Sequence, residues 1–157
     1  MKSERSMKLA IAVITIGMLF AGCAKKEPAP EPVAEKPMTT AVSEAPQKPS
    51  SNSVYFAFDS SELDAAASAT LDAHADWLNA NPDVSITIEG NCDERGSREY
   101  NLALGQQRAD SVRDYLVSRG VSSTRIDTVS FGEERPACTG SGEACWAQNR
   151  RADIVTR

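Results

Sequence analysis

The sequence predicts an α+β domain of order βαβαββ, a small mixed sheet with two main helices on one face. Three observations lead there. Two stretches, Leu63 to Leu78 and Leu102 to Leu116, carry apolar residues at a three-four spacing. Short runs rich in β-formers precede, separate and follow them. Between these runs lie turn-forming clusters such as Asn81-Pro82-Asp83.

Val54-Tyr55-Phe56-Ala57-Phe58 alternates and reads as the first strand. Asp59-Ser60-Ser61-Glu62 then offers a helix start, with Ser61 and Asp64 spaced like a capping box. The helix should run to about Asn79 and bury Leu63, Ala67, Leu71, His74 and Leu78, which makes His74 a packed histidine. Val84 to Glu89 alternates as the second strand and ends at Gly90. A polar loop from Asn91 to Ser97 leads into a second helix, from about Glu99 to Arg119. Leu102, Gly105, Ala109, Val112 and Leu116 mark its inner face, and Gly120 supplies the stop. Ile126 to Phe131 reads as the third strand. A short helical turn near residues 144–149 and a last strand, Ala152 to Val155, complete the order. Helices on one face of the sheet bury both apolar stripes.

The whole chain has 157 residues, a net charge of -5 and only 6% aromatic residues. That length suits one domain plus accessories and excludes a large multidomain enzyme. The acidic balance excludes a general nucleic-acid binder, which needs a basic face for phosphates. The average conceals a segregation, because every lysine lies at or before Lys48. Residues 1–22 have a basic start, Lys2, Arg5 and Lys8, then an apolar run from Leu9 to Phe20. The run falls short of the ~20 residues a membrane-spanning helix needs and reads as a secretory signal. Its end, Leu19-Phe20-Ala21-Gly22-Cys23, resembles the lipobox of bacterial lipoproteins. That resemblance implies a lipidated Cys23 at the mature N-terminus. With Ala24 next, it implies sorting to the outer membrane.

Residues 23–50 form the lipidated cysteine and a tether. Six prolines and balanced lysines and glutamates, with no glycine or aromatic residue, favour a semi-rigid spacer over a core. It would reach roughly 80 Å extended or about 30 Å as a coil. Residues 51–157 form the folded domain. All its bases are arginines, ten against seventeen acids. An acidic ligand must therefore be met by a few locally placed arginines.

Four blocks carry a family resemblance: Val54 to Asp59; Glu89-Gly90-Asn91-Cys92-Asp93-Glu94-Arg95-Gly96; Tyr100 to Ala109; and Asn149-Arg150-Arg151-Ala152. In order and spacing they resemble the C-terminal domain of outer membrane protein A-like proteins, and within it the peptidoglycan-associated lipoproteins of the Tol-Pal system. The resemblance covers essentially all of residues 51–157. It implies non-covalent binding of the peptidoglycan stem peptide through its diaminopimelate. It also implies Tol partners, above all TolB, and a role in envelope integrity and constriction at cell division. No metal or cofactor is implied.

Diaminopimelate is zwitterionic, so its site needs a guanidinium fork for carboxylate and an acceptor for ammonium. By transfer from the family motif, Asp93 is the acidic partner and Arg108 the basic one. Phe58 and Asp59 form a wall and a further acceptor, and Asn91, Arg95 and Leu104 fall on the rim. Gly90 and Gly96 would allow the tight path that brings Asp93 towards Arg108. Asn149, Arg150 and Arg151 read as structural or rim residues, and Trp77 and Trp146 as packing or surface residues.

Cys138 and Cys145 bracket a polar turn and should pair in an oxidising periplasm, contributing roughly 2.5 kcal/mol by loop-closure entropy. Cys92 stands inside the binding loop, where relatives commonly carry Thr or His. Two other functions compete. One is a wall-binding lipoprotein outside the Tol system. The other is a wall hydrolase using Cys92 with His74, although the chain has no HExxH, GxSxG or CxxC pattern.

Overall fold

A computed structural model describes residues 46–157. The signal at residues 1–22, Cys23 and the tether up to residue 45 lie outside the described residues. The domain has a four-stranded sheet and three α-helices. They are β1 (Ser53–Tyr55), α1 (Ala65–Ala80), β2 (Ile86–Asn91), α2 (Arg98–Ser118), β3 (Ile126–Gly132), α3 (Glu143–Asn149) and β4 (Arg151–Thr156). The sheet order is β1-β4-β2-β3, with β4 antiparallel to both neighbours and β2 parallel to β3. The mixed sheet of order βαβαββ is therefore as expected.

The period-two pattern explains the sheet's inner face. Val54, Ile86, Ile88, Ala152, Ile154 and Ile126 point to one side and are buried with Ala67, Leu71, Ala75 and Leu78 of α1 and Ala109, Val112 and Leu116 of α2. Both main helices thus cover the same face.

The boundaries moved for local reasons. β1 is shorter than the expected strand. The Phe56 amide still donates to the Arg150 carbonyl at 2.9 Å, but the Ala57 and Ser60 carbonyls accept from Arg108 instead of a strand partner. Helix α1 starts later than expected because Asp64, not Ser61, is its N-cap, accepting from the Ala67 amide at 2.7 Å. A carboxylate there also meets the positive end of the helix dipole. Ser97 caps α2 in the same way through the Tyr100 amide. At the other end of α2, Gly120 at φ +93 lets its own amide reach the Val117 carbonyl while the Val121 amide reaches that of Leu116. This closes a Schellman turn, with Val121 and Leu116 both buried. The inner stripe of α2 is also shifted. Leu104 is buried while Leu102 is half-buried.

The pair Gly90 and Gly105 sets how closely α2 approaches β2. A Cβ on Gly90 would lie 1.8 Å from the Gly105 carbonyl oxygen. The reason for glycine at 90 is this backbone contact rather than a tight loop path.

His74 is buried on α1, and its Nε2 donates to the Ser51 carbonyl at 2.8 Å. Its Nδ1 is buried without a partner. Burial pushes the imidazole pKa below its usual value, against the opposing pull of the Ser51 hydrogen bond. The folded domain thus holds a neutral histidine that the unfolded chain protonates below about pH 6.5. Stability should be full above that pH and fall as pH drops, by up to about 1.4 kcal/mol per unit until the folded histidine also titrates. Urea midpoints at pH 7.5 and 5.5 will show this as a drop that His74→Leu reduces. An equal drop in both proteins would assign the effect elsewhere.

Candidate binding site

The strand register defines two ends of the domain. Ser53 lies opposite Asp153, and Ile86 lies opposite Thr156, where Lys48 also donates to the Thr156 hydroxyl. The other end holds the C-termini of β1 and β2 and the N-terminus of β4. There Phe58, Asp59, Asp93, Arg95, Leu104 and Arg108 meet around a cavity of ≈ 180 Å³. Cys92, Gly96, Tyr100, Asn101 and Arg150 complete its lining.

Arg108 is built into the floor. It is only 1% exposed, and it spends its fork on backbone: Nε to Ser60 O at 2.9 Å, Nη1 to Asn91 O at 2.9 Å and Nη2 to Ala57 O at 3.2 Å. Nη1 also meets Cys92 Sγ at 3.3 Å. Among the described residues it forms no salt bridge, so this buried cation is met by three carbonyls and the Cys92 sulfur rather than by a carboxylate. Burial pushes its pKa down, and the neighbouring Arg150 adds to this.

Asp93 is 4% exposed and its acceptor positions are filled. Oδ1 takes the Arg95 amide and Nε, each at 3.1 Å. Oδ2 takes Arg95 Nη2 at 2.6 Å and Arg150 Nη1 at 3.3 Å. A carboxylate has about four such positions. Burial by itself would raise the Asp93 pKa. The Arg95 and Arg150 hydrogen bonds outweigh it and hold the carboxyl below its usual range. A ligand ammonium would reach Asp93 only by displacing Arg95. Asp93 therefore acts first as the fixture for two arginines.

Asp59 offers the more open acceptor. It sits exposed at the mouth, at φ 54, and accepts from the Tyr100 hydroxyl. Phe58 is exposed and stacks on Arg95, with the guanidinium carbon 4.1 Å from the ring centroid.

Asn91 is a correction. Its side chain is buried away from the cavity, donating to Glu89 O and Asp153 Oδ2, and only its carbonyl serves the site, as an acceptor for Arg108. The alternation of β2 turns that side chain towards the β4 aspartate. Arg150 was expected on structural or rim grounds but lines the cavity. It donates to Phe56 O at 3.0 Å and pairs with Glu143 at 2.6 Å as well as with Asp93. Its neighbour Asn149 is structural, bonding the Ala137 and Cys138 amides and the Cys138 carbonyl. Arg151 pairs with Asp153 and donates to Arg135 O. Tyr100 begins the α2 family-like block, yet only its partner Asp59, 41 positions away, gives it a place at the mouth.

Cys92 is a buried free thiol that donates to Asn101 O and accepts from Arg108, and burial pushes its pKa up. His74 is bound to Ser51, so the two do not form a nucleophile-base pair. Cys138 and Cys145 are joined in a disulfide.

The OmpA family pattern matches residues 55–151. A peptidoglycan-associated lipoprotein of Agrobacterium fabrum is 40% identical over 152 residues, covering 93% of this chain and 86% of its own. The chain belongs to the OmpA family, among the peptidoglycan-associated lipoproteins. A Brucella melitensis relative of the same name is 54% identical over 102 residues, covering 65% of this chain and 61% of its own. The crystal structure of the peptidoglycan-associated lipoprotein from Burkholderia pseudomallei superposes with TM-score 0.67 at 50% identity, covering 68% of this chain and 91% of that one. The C-terminal domain of Helicobacter pylori MotB, at 19% identity and TM-score 0.59, shares the fold over 62% of this chain and 77% of its own. As an OmpA family domain, the chain places its cavity at the sheet end where three of its four family-like blocks converge and the fourth, on α2, adds Arg108.

Proposed function

We propose that the domain binds peptidoglycan non-covalently, holding the diaminopimelate of the stem peptide in this cavity. The observation that carries the reading is the charge layout. Three arginines and two aspartates line the cavity, in a domain with ten arginines and seventeen acids. The positive charge is deep, in Arg108 and Arg150, and the Asp59 carboxylate stands at the lip. A zwitterion with carboxylate inward and ammonium outward matches that order. The names of the relatives agree with it.

The rest of the reading is supported by the lipobox-like end of residues 1–23, the Pro-rich composition of residues 24–50 and the family resemblance. Lipidated Cys23 anchors it to the outer membrane, residues 24–50 form the tether, and the domain lies in the periplasm. The described end of the tether enters at Ser53, opposite the cavity. An anchored domain can thus turn its cavity away from the membrane and towards the wall. In this role the chain joins the Tol-Pal system, with TolB as partner, and supports envelope integrity and constriction at division.

Co-sedimentation with purified peptidoglycan tests the binding. Asp93→Asn releases both Arg95 and Arg150 and should lower the bound fraction at limiting wall about tenfold or more. Wild-type retention by this variant would refute the assigned site. Capture of TolB by the chain tests the Tol assignment; failure to capture it leaves a wall-binding lipoprotein outside that system.

A further inference from the structure

Trp146 does not line the cavity, yet it shapes one of its walls. The Arg95 guanidinium carbon lies 4.2 Å from the Trp146 ring centroid and 4.1 Å from that of Phe58. The fork is therefore held between two aromatic rings. Nε and Nη2 face Asp93, and Nη2 also lies 3.8 Å from Glu143. Nη1 meets no acceptor among the described residues. A loop arginine ordinarily samples many rotamers. Two rings and a bidentate carboxylate leave this one a single pose, with one edge of its fork unspent.

Trp146 is itself fixed. Its indole Nε1 donates to Glu94 at 3.0 Å. It is carried by α3, a helix of seven residues, too short to be stable unaided. The Cys138–Cys145 disulfide ties that helix to the preceding loop, and Asn149 at the helix end binds both the amide and the carbonyl of Cys138.

We propose that Trp146 is a positioning residue for ligand affinity. Carried on the disulfide-held α3, it clamps Arg95 against Phe58 so that the Nη1 edge meets a ligand carboxylate. The proposal rests on the ligand reading above and deepens it. It also makes affinity depend on the disulfide. A dithiol reductant passes two electrons and two protons to the Cys138–Cys145 bond, leaving two thiols, and closes to its own disulfide. The helix then loses its tie and the clamp its second face.

The test uses the full chain purified in detergent and two soluble probes. One is a diaminopimelate-containing disaccharide-tetrapeptide, and the other is the same molecule with the diaminopimelate carboxylate amidated. Trp146→Leu should bind the free-acid probe about five- to tenfold more weakly, the range of a cation-π contact. It should also lose most of the preference for free acid over amide. Trp146→Phe keeps a ring and should stay within about twofold of wild type. Dithiothreitol and the double variant Cys138→Ser/Cys145→Ser should each weaken binding several-fold, with the unfolding midpoint above the assay temperature in every case. If wild type binds but Trp146→Leu and the reduced protein bind equally well with unchanged preference, the clamp is overturned alone. If wild type binds neither probe, the ligand reading falls and the clamp with it.

Discussion

Arg108→Ala should destabilise the domain by roughly 1.5–3 kcal/mol, the range for lost hydrogen bonds to a charged group. The side chain is the largest fully buried one in the domain, and its removal takes the shared donor from the carbonyls of Ala57, Ser60 and Asn91. Those carbonyls belong to two segments, the turn after β1 and the end of β2, which share no other hydrogen bond among the described residues. Losing the guanidinium therefore strands the buried Asn91 acceptor, frees the part-buried Ala57 and Ser60 carbonyls and releases the cavity's floor at once. Arg108→Lys separates the two effects. An ammonium keeps the charge but cannot span the same fork. It should retain more stability than alanine in a urea titration while still losing most wall binding by co-sedimentation. Should Arg108→Lys sediment like wild type, charge alone suffices and the fork geometry is irrelevant.

Gly90→Ala should cost at least about 3 kcal/mol, the upper range for overpacking, because the added methyl meets backbone that cannot rotate away. Its Cβ would stand 1.8 Å from the Gly105 carbonyl oxygen, so α2 must lift off β2. Gly105→Ala is the instructive contrast. Its Cβ would meet Ser130 Oγ at 2.3 Å, a hydroxyl that can rotate, and the Gly90 carbonyl at 3.0 Å. Alanine also gains about 1 kcal/mol of helix propensity over glycine. Thermal unfolding should rank wild type above Gly105→Ala and both above Gly90→Ala. Adding Ser130→Ala should recover part of the Gly105→Ala loss. A Gly90→Ala protein that melts like wild type would mean the helix and strand are not in backbone contact.

Since Arg108 lies one turn beyond Gly105, the two predictions concern one arrangement. The glycine pair lets α2 settle onto β2, and that depth carries the guanidinium under the β1 and β2 ends. Neither glycine announces this in the sequence. Gly105 sits in an apolar stripe where any small residue satisfies the periodicity, and Gly90 looks like the strand end it is placed near.

The same contrast runs through the site. Asp93 and Arg108 were readable from the block motifs, as were Phe58, Asp59, Arg95 and Leu104, and all six meet at one cavity. Their roles were less readable. Asp93 was expected to face the ligand, whereas four donors from two arginines already surround it. Transfer from the family motif places Asn91 on the rim, but strand alternation sends its side chain to Asp153. Arg150 and Trp146 come from the far end of the sequence, and local pattern says nothing about which loop they will face.

The sequence by itself determined the order of elements and the residue types gathered around the cavity. Composition and periodicity are local properties, and a stripe at helical spacing has few ways to be buried. Tertiary structure alone decided which partner each charged group faces. β4, the last strand, inserts between β1 and β2, bringing Arg150 to Asp93 across 57 positions and setting α3 beside the loop that holds Arg95. Pairings at that separation depend on strand order and helix depth, which are set by the packing of the whole core and not by any one segment.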